Sequence, residues 1–341
     1  MTDILLSICI PAYNRPRQLD ELLQSIDVNG EDIEVVICED HSPGRELIRK
    51  VANEWGDLSA LRIAYHENAS NLGFDGNIRE LVNKASGHFI LFMGDDDLFI
   101  PGALEEYLKF LKKNCNFNYI LRSYISIHAD GAIEKFHYLP KTKILPGGEE
   151  TAAWIFKRSV NISGFTISRL EASRYATTDL DGTLLYQVYL ACCACINGDS
   201  VYCDIPVSNA IQSFRQDKPM FGNAISERSR YTPGSVTIDN SINFSKAYFE
   251  VAKYLDQKFN VDISKKLVID LSKYSYPFLS IQRKRGIKVF MEYADQLESK
   301  LNLGCTPYFF IYKWALIFLG EKVSDRIILL LKKLLRHTPN L

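Results

Sequence analysis

The first part of the chain alternates short apolar runs with amphipathic segments. Four runs have the length and composition of buried strands: Leu5–Ile10, Ile33–Glu39, Leu61–His66 and Phe89–Met93. Between them, apolar residues recur at helical spacing in two sets, Leu19, Leu22, Leu23 and Ile26, and then Ile78, Leu81, Val82 and Ala85. Strands that alternate with such helices are typical of βαβ units around a mostly parallel sheet. The pattern therefore predicts an α/β fold.

The pattern changes beyond Asn118. A helix is predicted from Pro101, because proline is favoured in a first helical turn. The runs Tyr119–His128 and Ile133–Leu139 then flank Asp130-Gly131, a dipeptide favoured in hairpin turns. We therefore expect a sheet region of mixed direction after the parallel one.

The second half of the chain is predicted to be mainly helical. The elements expected there are a helix over Leu184–Ile196, strands over Ser200–Asp204 and Val207–Phe214, and helices from about Asp239 to the end. This pattern predicts an α/β domain over residues 1–235 and a helical C-terminal region over residues 236–341.

Composition excludes some functions without naming one. The 341 residues carry a formal net charge of −1, so no overall basic field would attract nucleic acid. The eight cysteines are expected to be buried thiols in a reducing cytosol. The N-terminal residues show no signal-peptide pattern. The longest apolar stretch, Tyr308–Leu319, is interrupted by Lys313 and is shorter than the roughly 20 residues that span a bilayer, so we expect no transmembrane helix.

The sharpest chemical signal is Gly94-Asp95-Asp96-Asp97, directly after an apolar run. Ligands of open α/β sheets gather at the carboxyl ends of strands, and adjacent carboxylates indicate a compensating cation or hydrogen-bond network. In an extended backbone Asp95 and Asp97 would point to the same side, where hard oxygen ligands suit Mg²⁺ or Mn²⁺ bound with a diphosphate. The alternative is an acidic helix N-terminus that caps backbone amides.

Two other predicted strand ends carry polar groups. After the first strand, Tyr13 could stack beside a base and Arg15 could neutralise a phosphate. After the second, Asp40 could accept hydrogen bonds from a base N–H or a ribose hydroxyl. The alternative for the end of the first strand is a strand-to-helix turn that contains proline. The alternative for the end of the second strand is ordinary turn chemistry.

Together these motifs resemble the GT-A glycosyltransferases, particularly family 2. The resemblance is good over roughly residues 4 to 115 and loose over the next hundred, and it runs through Pro11–Arg15, Glu39–Ser42, Asn71–Phe74 and Gly94–Asp97. It implies a Rossmann-like GT-A fold with helices on both faces of the sheet, transfer of a sugar from a nucleotide diphosphate donor, and inversion at the anomeric carbon. The Gly-Asp-Asp-Asp form and Leu185-Tyr186-Gln187 are also similar to abequosyltransferase-like enzymes of O-antigen assembly.

The resemblance also implies roles for individual residues. Those expected to contact the nucleotide donor are Pro11, Tyr13, Arg15, Glu39, Asp40, Asn71, Asp95 and Asp96. Asp95 and Asp97 would hold Mg²⁺ or Mn²⁺, which stabilises the negative charge on the departing diphosphate. The chain departs from the family pattern at two places. The second motif of the family is often two aspartates followed by Gly-Ser, whereas this chain has Glu39-Asp40-His41-Ser42. The family frequently has an acid at the position of Gly94.

Transfer to a hydroxyl also needs a general base. Family 2 enzymes usually place an acid before a helix in the second half, and here Asp179 and Asp181 precede the predicted helix, with Asp181 the first candidate. The alternative is that Asp181 and Thr183 only cap that helix. Arg215, after the last predicted strand, could contact the diphosphate or form a surface salt bridge.

The pattern of residues 308–336 predicts contact with a membrane surface. Over residues 323–336, apolar and basic side chains segregate at helical spacing, and aromatic residues are frequent over Tyr308–Trp314. Such helices can lie in an anionic bilayer surface, where aromatic rings favour the interface. The alternative is that both helices pack on the preceding domain.

We therefore expect a metal-dependent glycosyltransferase, peripheral on the inner face of the cytoplasmic membrane. Its acceptor would be a glycan linked to polyprenyl diphosphate, in cell-surface polysaccharide or O-antigen synthesis. One alternative is a sugar nucleotidyltransferase, although that class needs a Gly-rich basic loop where Pro11–Asn14 stands. Another is a catalytically inactive, glycosyltransferase-like membrane-bound protein that binds nucleotide without turnover.

Overall fold

The computed structural model describes residues 4–28, 30–128, 131–211, 221–234 and 237–335. Within these ranges, the strands are β1 Leu6–Ala12, β2 Ile33–Glu39, β3 Ile63–Glu67, β4 Phe89–Phe92, β5 Leu98–Phe99, β6 Tyr119–Ile127, β7 Ile133–Phe136, β8 Lys143–Leu145, β9 Phe165–Ser168 and β10 Ser200–Ile211. The α-helices are α1 Pro16–Gln24, α2 Arg45–Leu58, α3 Gly73–Lys84, α4 Ala103–Lys113, α5 Glu149–Ile155, α6 Arg169–Arg174, α7 Tyr186–Asn197, α8 Ile225–Arg228, α9 Ile238–Phe259, α10 Ile263–Lys273, α11 Tyr276–Arg283, α12 Ile287–Leu301, α13 Pro307–Phe318 and α14 Gly320–Leu335.

The described strands form one sheet with a parallel half and a mixed half. Its order is β3-β2-β1-β4-β9-β6-β10-β5, with β7 beside β6 and β8 beside β10. Strands β3, β2, β1 and β4 are mutually parallel, whereas β9 runs antiparallel between β4 and β6. The expected parallel strands and the mixed region after them are therefore both confirmed. The carboxyl ends of β2, β1 and β4 and the amino end of β9 lie side by side along one edge.

Helices cover both faces of the sheet, as its apolar pattern requires. Residues of β1 alternate between two hydrophobic clusters: Leu6, Ile8 and Ile10 pack with α1, α2 and α4, while Cys9 faces the cluster formed with α3 and α7. Strand β2 is buried along its whole length, which explains its almost continuous apolar run.

The C-terminal helices pack against the second of these faces. Leu255 of α9, Leu279 of α11 and Leu316 of α13 belong to the same hydrophobic cluster as the residues of α7. The helical character expected from about Asp239 onward is confirmed by α9 to α14. A division between residues 235 and 236 stays a prediction. Among the helices of the described residues, none has the length and apolar character to cross a membrane.

Several elements differ from those expected. The two strands predicted over residues 200–214 are one strand, β10, whose register with β6 shifts on either side of Pro206. Phe214 lies outside the described residues. The predicted hairpin is confirmed by the antiparallel pairing of β6 and β7. Of the eight cysteines, six are buried as expected, but Cys115 and Cys305 are exposed.

Candidate active site

A cavity of about 340 Å³ lies at the edge where β1, β2 and β4 end. Most of the residues expected to contact a donor line it: Pro11, Tyr13, Arg15, Asp40, Asn71, Asp95 and Asp96. Glu39 does not, and its carboxylate instead accepts a hydrogen bond from the backbone N–H of Ser42 at 2.9 Å. The topology of the parallel half therefore brings together residues that are up to 85 positions apart in the chain, from Pro11 to Asp96.

Arg15 holds the first two aspartates of the triplet. Its Nη1 donates to Asp95 Oδ1 at 2.9 Å and lies 2.8 Å from Asp96 Oδ2. The other oxygen of Asp95 accepts from the backbone N–H of Tyr13 at 3.0 Å. Burial raises the pKa of Asp95 to about 6, although the nearby Arg15 charge opposes that rise. The turn that carries Arg15 depends on Asn14, whose φ of 58° is in the left-handed region that asparagine tolerates.

Asp97 does not line the cavity with Asp95 and Asp96. The chain turns after Gly94, since the N–H of Asp97 donates to the Gly94 carbonyl at 3.2 Å, so the alternation of an extended strand does not apply. One Asp97 oxygen accepts from the Ser163 hydroxyl and the other from the backbone N–H of Ile211 at 2.7 Å. Burial, followed by the charge of Asp96, raises the pKa of Asp97 to about 7. The expectation that Asp95 and Asp97 share one side is corrected: Asp95 and Asp96 line the cavity.

Asp40 organises the neighbouring loop as well as lining the cavity. Its Oδ1 accepts from Asn68 Nδ2 at 2.9 Å and from the backbone N–H of Leu72 at 2.8 Å, while Oδ2 accepts from that of Gly73 at 2.9 Å. Burial raises its pKa, and these hydrogen bonds oppose the rise. Asp40 therefore fixes the start of α3, and with it the position of Asn71.

The wall contributed by the second half is positioned by Asp75 of α3. Its two carboxylate oxygens accept from the backbone N–H groups of Leu184 at 2.9 Å and Tyr186 at 3.0 Å. Leu184 has a φ of 62°, a strained conformation for a leucine, and these bonds hold it there. Burial raises the pKa of Asp75 to about 7. Leu184 and Gln187, at the start of α7, consequently line the cavity.

The two candidate bases lie elsewhere. Asp181 forms a two-point ion pair with Arg79, Nη1 to Oδ1 at 2.6 Å and Nη2 to Oδ2 at 2.9 Å. Asp179 accepts a hydrogen bond from the Tyr254 hydroxyl at 2.7 Å. Neither residue lines the cavity. Asp181 does not cap α7, because the first amide of that helix, from Tyr186, donates to Asp75. The Thr183 hydroxyl does accept, at 3.3 Å, from the N–H of Leu185 just before the helix.

Other cavity residues were missed from the sequence. They are mainly apolar or come from distant segments: Phe74, Val160, Ile162, Leu184, Gln187, Phe221, Glu227 and Phe244. Glu227 accepts from the backbone N–H groups of Phe74 at 2.8 Å and Gly222 at 2.6 Å, which joins the segment over 221–234 to the start of α3. Two of them lie in stretches that carried a resemblance, Phe74 in Asn71–Phe74 and Gln187 in Leu185-Tyr186-Gln187, and no motif marks the others. Arg215 lies outside the described residues.

The last two helices combine packing with exposure. Phe309 and Leu316 are buried, and Lys313 is paired with Asp295 at 2.7 Å. On the outward side, Trp314 is 52% exposed and Phe318 is 77% exposed. The outward surface continues along α14 at Ile327, Leu330 and Leu331. The helices therefore pack on the protein through one face and present an apolar, aromatic face to the outside.

The sheet and its edge of acidic groups define a GT-A fold. Residues 7–174, slightly less than half of the chain, match the family model for Glycosyl transferase family 2. The expected family resemblance and fold class are thereby confirmed.

Relatives and solved structures agree with this assignment. The chain is 31% identical over 102 residues to abequosyltransferase RfbV of Salmonella typhimurium, a match covering 30% of this chain and 31% of the relative. It is 28% identical over 137 residues to the UDP-Glc:alpha-D-GlcNAc-diphosphoundecaprenol beta-1,3-glucosyltransferase WfgD of Escherichia coli, covering 40% and 52%. The matches thus span about a third to a half of these relatives. S. aureus TarS 1-349 in complex with UDP-GlcNAc shares the fold, with a TM-score of 0.52 and 13% identity over 95% of this chain and 92% of that one.

Proposed function

We propose that this protein transfers a sugar from a nucleoside diphosphate donor to a glycan acceptor in cell-surface polysaccharide or O-antigen synthesis. One observation carries the proposal: Asp40, Tyr13 and the Asp95–Asp96 pair follow β2, β1 and β4 and converge on one cavity. The family 2 match and the named relatives support the same activity.

In this proposal, different residues bind the nucleoside and the diphosphate of the donor. Asp40 and Tyr13, just after β2 and β1, and Asn71, just before α3, receive the nucleoside. Arg15 leaves the aspartates and pairs with the diphosphate, whose charge it neutralises. The cavity walls exclude water from the bond that breaks.

A divalent cation, Mg²⁺ or Mn²⁺, fits this site when a diphosphate is present. Within the described residues, no group of three or more His, Cys, Asp or Glu residues could hold a metal ion. Two carboxylates with diphosphate oxygens are, however, a usual set for Mg²⁺. Asp95 and Asp96 would hold the cation, because both line the cavity and share a cationic partner. When bound, the cation supplies electrostatic stabilisation of the departing diphosphate.

The base for an inverting transfer stays a prediction for Asp181, with Asp179 the second candidate. An arginine on both oxygens makes a carboxylate a poor base, so Asp181 would have to leave Arg79 before accepting a proton. Substrate-dependent rearrangement of the turn before α7 would be required.

The acceptor we propose is a glycan on polyprenyl diphosphate at the inner face of the cytoplasmic membrane. WfgD and a glucosyltransferase of Campylobacter jejuni, both similar to this chain, are named for glycans linked to diphosphoundecaprenol. The outward face of α13 and α14, aromatic on α13 and aliphatic on α14, is suited to the interface of a bilayer. This face would keep the protein, as a peripheral one, near its acceptor.

A thermal-shift screen of UDP, dTDP, CDP and GDP, with and without Mn²⁺, tests the donor site. We expect one nucleotide to raise the Tm in a metal-dependent way, because ligands stabilise the state that binds them. Release of that nucleotide from its sugar-bound form in the presence of polyprenyl-diphosphate glycans then tests transfer. Binding without release would favour the inactive binding protein, and pyrophosphate formation from a nucleoside triphosphate would favour the nucleotidyltransferase. A lack of any nucleotide-dependent shift would refute the proposal.

A further inference from the structure

Two basic residues lie between the cavity and the C-terminal helices. Lys157 and Arg158, both half-buried, belong to a short 3-10 helix over Phe156–Ser159. That helix directly precedes Val160, which lines the cavity. Since a chain extends by at most about 3.5 Å per residue, the Cα atoms of Arg158 and Val160 are within about 7 Å of each other. The two cations therefore stand beside the cavity.

On their other side, these cations adjoin the end of α10. Lys157 Nζ lies 3.0 Å from Asp270 Oδ2 and 3.2 Å from the centre of the ring of Tyr274, a residue that is 42% exposed. Helix α10 in turn contacts the start of α13, because the hydroxyl oxygens of Ser272 and Thr306 are 2.8 Å apart. A continuous row of contacts thus leads from the cavity, past the two cations, to the helix whose outward face we propose for membrane contact.

Positive charge is in excess at this place. Lys157 pairs with Asp270, whereas Arg158 forms no ion pair within the part of the chain that the structure describes. Burial lowers the pKa of Lys157 to about 8; the Asp270 charge opposes this fall and the Arg158 charge adds to it. Two like charges are thus held close together with one carboxylate, and an anionic ligand would relieve their repulsion.

The Arg158 guanidinium is oriented for such a ligand. It lies 4.3 Å from the centre of the Trp154 ring and 5.8 Å from that of the Tyr138 ring. Its Nη1 donates to the Trp154 carbonyl, while Nε and Nη2 have no partner among the described residues. Nε and Nη2 form one edge of the guanidinium, and two parallel N–H groups are the usual arrangement for binding phosphate oxygens.

We propose that Arg158, assisted by Lys157, binds the diphosphate of the lipid-linked acceptor, with the glycan directed into the cavity and the lipid towards α13. This inference rests on the proposed function and adds a second diphosphate site, distinct from that of the donor at Arg15, Asp95 and Asp96. Because Arg158 is so near the cavity lining, the acceptor would carry only one or two sugars between its diphosphate and the reacting hydroxyl.

The first test compares two probes that share one sugar. Alpha-D-GlcNAc, the sugar in the acceptor name of WfgD, is linked to farnesyl diphosphate in one probe and to a neutral octyl group in the other. Calorimetry uses the full chain with the donor site filled by Mn²⁺ and the nucleotide chosen in the screen. We expect the diphosphate probe to bind at least about tenfold more tightly, the range for hydrogen bonds to a charged group. Equal affinities would overturn the inference, while the nucleotide screen tests the proposed function separately.

The second test uses variants of the arginine. Arg158→Gln should remove at least about nine-tenths of the preference for the diphosphate probe and leave the affinity for the nucleotide unchanged. Arg158→Lys keeps the charge but not the paired N–H groups, so its preference should be intermediate. Arg49→Gln is the control, because α2 packs on the opposite face of the sheet. An unchanged preference in Arg158→Gln, or equal weakening of both probes at normal Tm, would refute the inference.

The phosphate of a membrane lipid is the other ligand with this chemistry. Co-sedimentation with phosphatidylglycerol vesicles distinguishes it, since Arg158→Gln should bind these vesicles as well as the natural protein does. Loss of vesicle binding with an unchanged preference for the diphosphate probe would assign Arg158 to lipid head groups and overturn the inference.

Discussion

Arg15 reaches Asp95 and Asp96 with a single nitrogen, Nη1, at 2.9 Å and 2.8 Å. One cation therefore compensates two adjacent carboxylates, of which Asp95 is buried and Asp96 partly exposed. The same two carboxylates are those we assign to a divalent ion. A metal-bound donor would replace Arg15 at Asp95 and Asp96 and offer its own phosphates to the guanidinium.

Replacing Arg15 by glutamine should destabilise the free protein more at pH 8 than at pH 5. Burial already raises the pKa of Asp95 to about 6 and Arg15 opposes that rise, so its loss raises the pKa further. When folding raises the pKa of a carboxyl, the folded protein loses stability as the pH rises through that pKa. We expect a loss of about 3 kcal/mol at pH 8, as for other broken buried pairs, measured by urea unfolding. Arg17→Gln, at an exposed ion pair, is the control, and an equal loss at both pH values would contradict the argument.

Asp96 and Asp97 should differ in their effect on metal-dependent binding. Asp96→Asn removes a carboxylate of the cavity and should reduce the Mn²⁺-dependent gain in nucleotide affinity at least about tenfold. Asp97→Asn should change that gain little, because both Asp97 oxygens are used by Ser163 and Ile211. Calorimetry with and without Mn²⁺ measures both. The opposite ranking would restore the metal site first expected at Asp95 and Asp97.

The stability of Asp97→Asn relative to the natural protein should increase with pH. Folding raises the pKa of Asp97 from 3.8 to about 7. The contribution of Asp97 to the free energy of unfolding is therefore fully present below about pH 4 and is lost as the pH rises to about 7. Asparagine does not titrate, and it can still accept from Ile211 N–H and donate to Ser163. Urea unfolding from pH 4 to pH 8 should show the difference changing in favour of the variant. A constant difference would mean that Asp97 is ionised throughout.

Asp181→Asn separates a catalytic from a structural role. Loss of the ion pair with Arg79 should cost about 1–2 kcal/mol of folding free energy. If Asp181 is the base, as proposed, the transfer rate should also fall at least about a hundredfold with donor affinity unchanged. Arg79→Gln is the matched control, since it removes the same pair but leaves the carboxylate. Similar transfer rates in the two variants would exclude Asp181 as the base.

Membrane binding should depend on the outward rings of α13. The double variant Trp314→Ser with Phe318→Ser should bind vesicles containing anionic phosphatidylglycerol at least about tenfold more weakly, because it removes two exposed aromatic side chains. Leu58→Ser with Ile225→Ser provides a control, as these side chains are 87% and 85% exposed elsewhere. Vesicle co-sedimentation measures the effect. Equal loss in the two double variants would indicate non-specific hydrophobic attachment.

The sequence was most informative where local pattern decides structure. Strand β2 was predicted with its observed bounds, because the apolar run Val35–Cys38, with Ile33 before it, has the length and composition of a buried strand. Helix α2 was missed, since its buried residues are few among charged ones. Strand β9 has only four residues, and its insertion between β4 and β6 is set by long-range pairing.

The site shows the same division. Asp40, Tyr13 and Asp95 were found because each follows a recognisable strand. The Arg79–Asp181 pair joins residues 102 positions apart, and the turn at Gly94 breaks the alternation that placed Asp97. Gln187 faces the cavity because Asp75, from another helix, fixes the start of α7. No local pattern contains these relationships.

The stretch that marks the family ends at residue 174, yet Leu184, Gln187, Phe221, Glu227 and Phe244 complete the cavity from beyond it. Strand β10, from the same later part, lies inside the sheet between β6 and β5. The part that is recognisable across relatives is therefore not a unit that could fold or choose a substrate alone. A fragment ending at residue 174 would lack an inner strand of the sheet and one wall of the cavity, so we expect it neither to fold stably nor to bind a nucleotide.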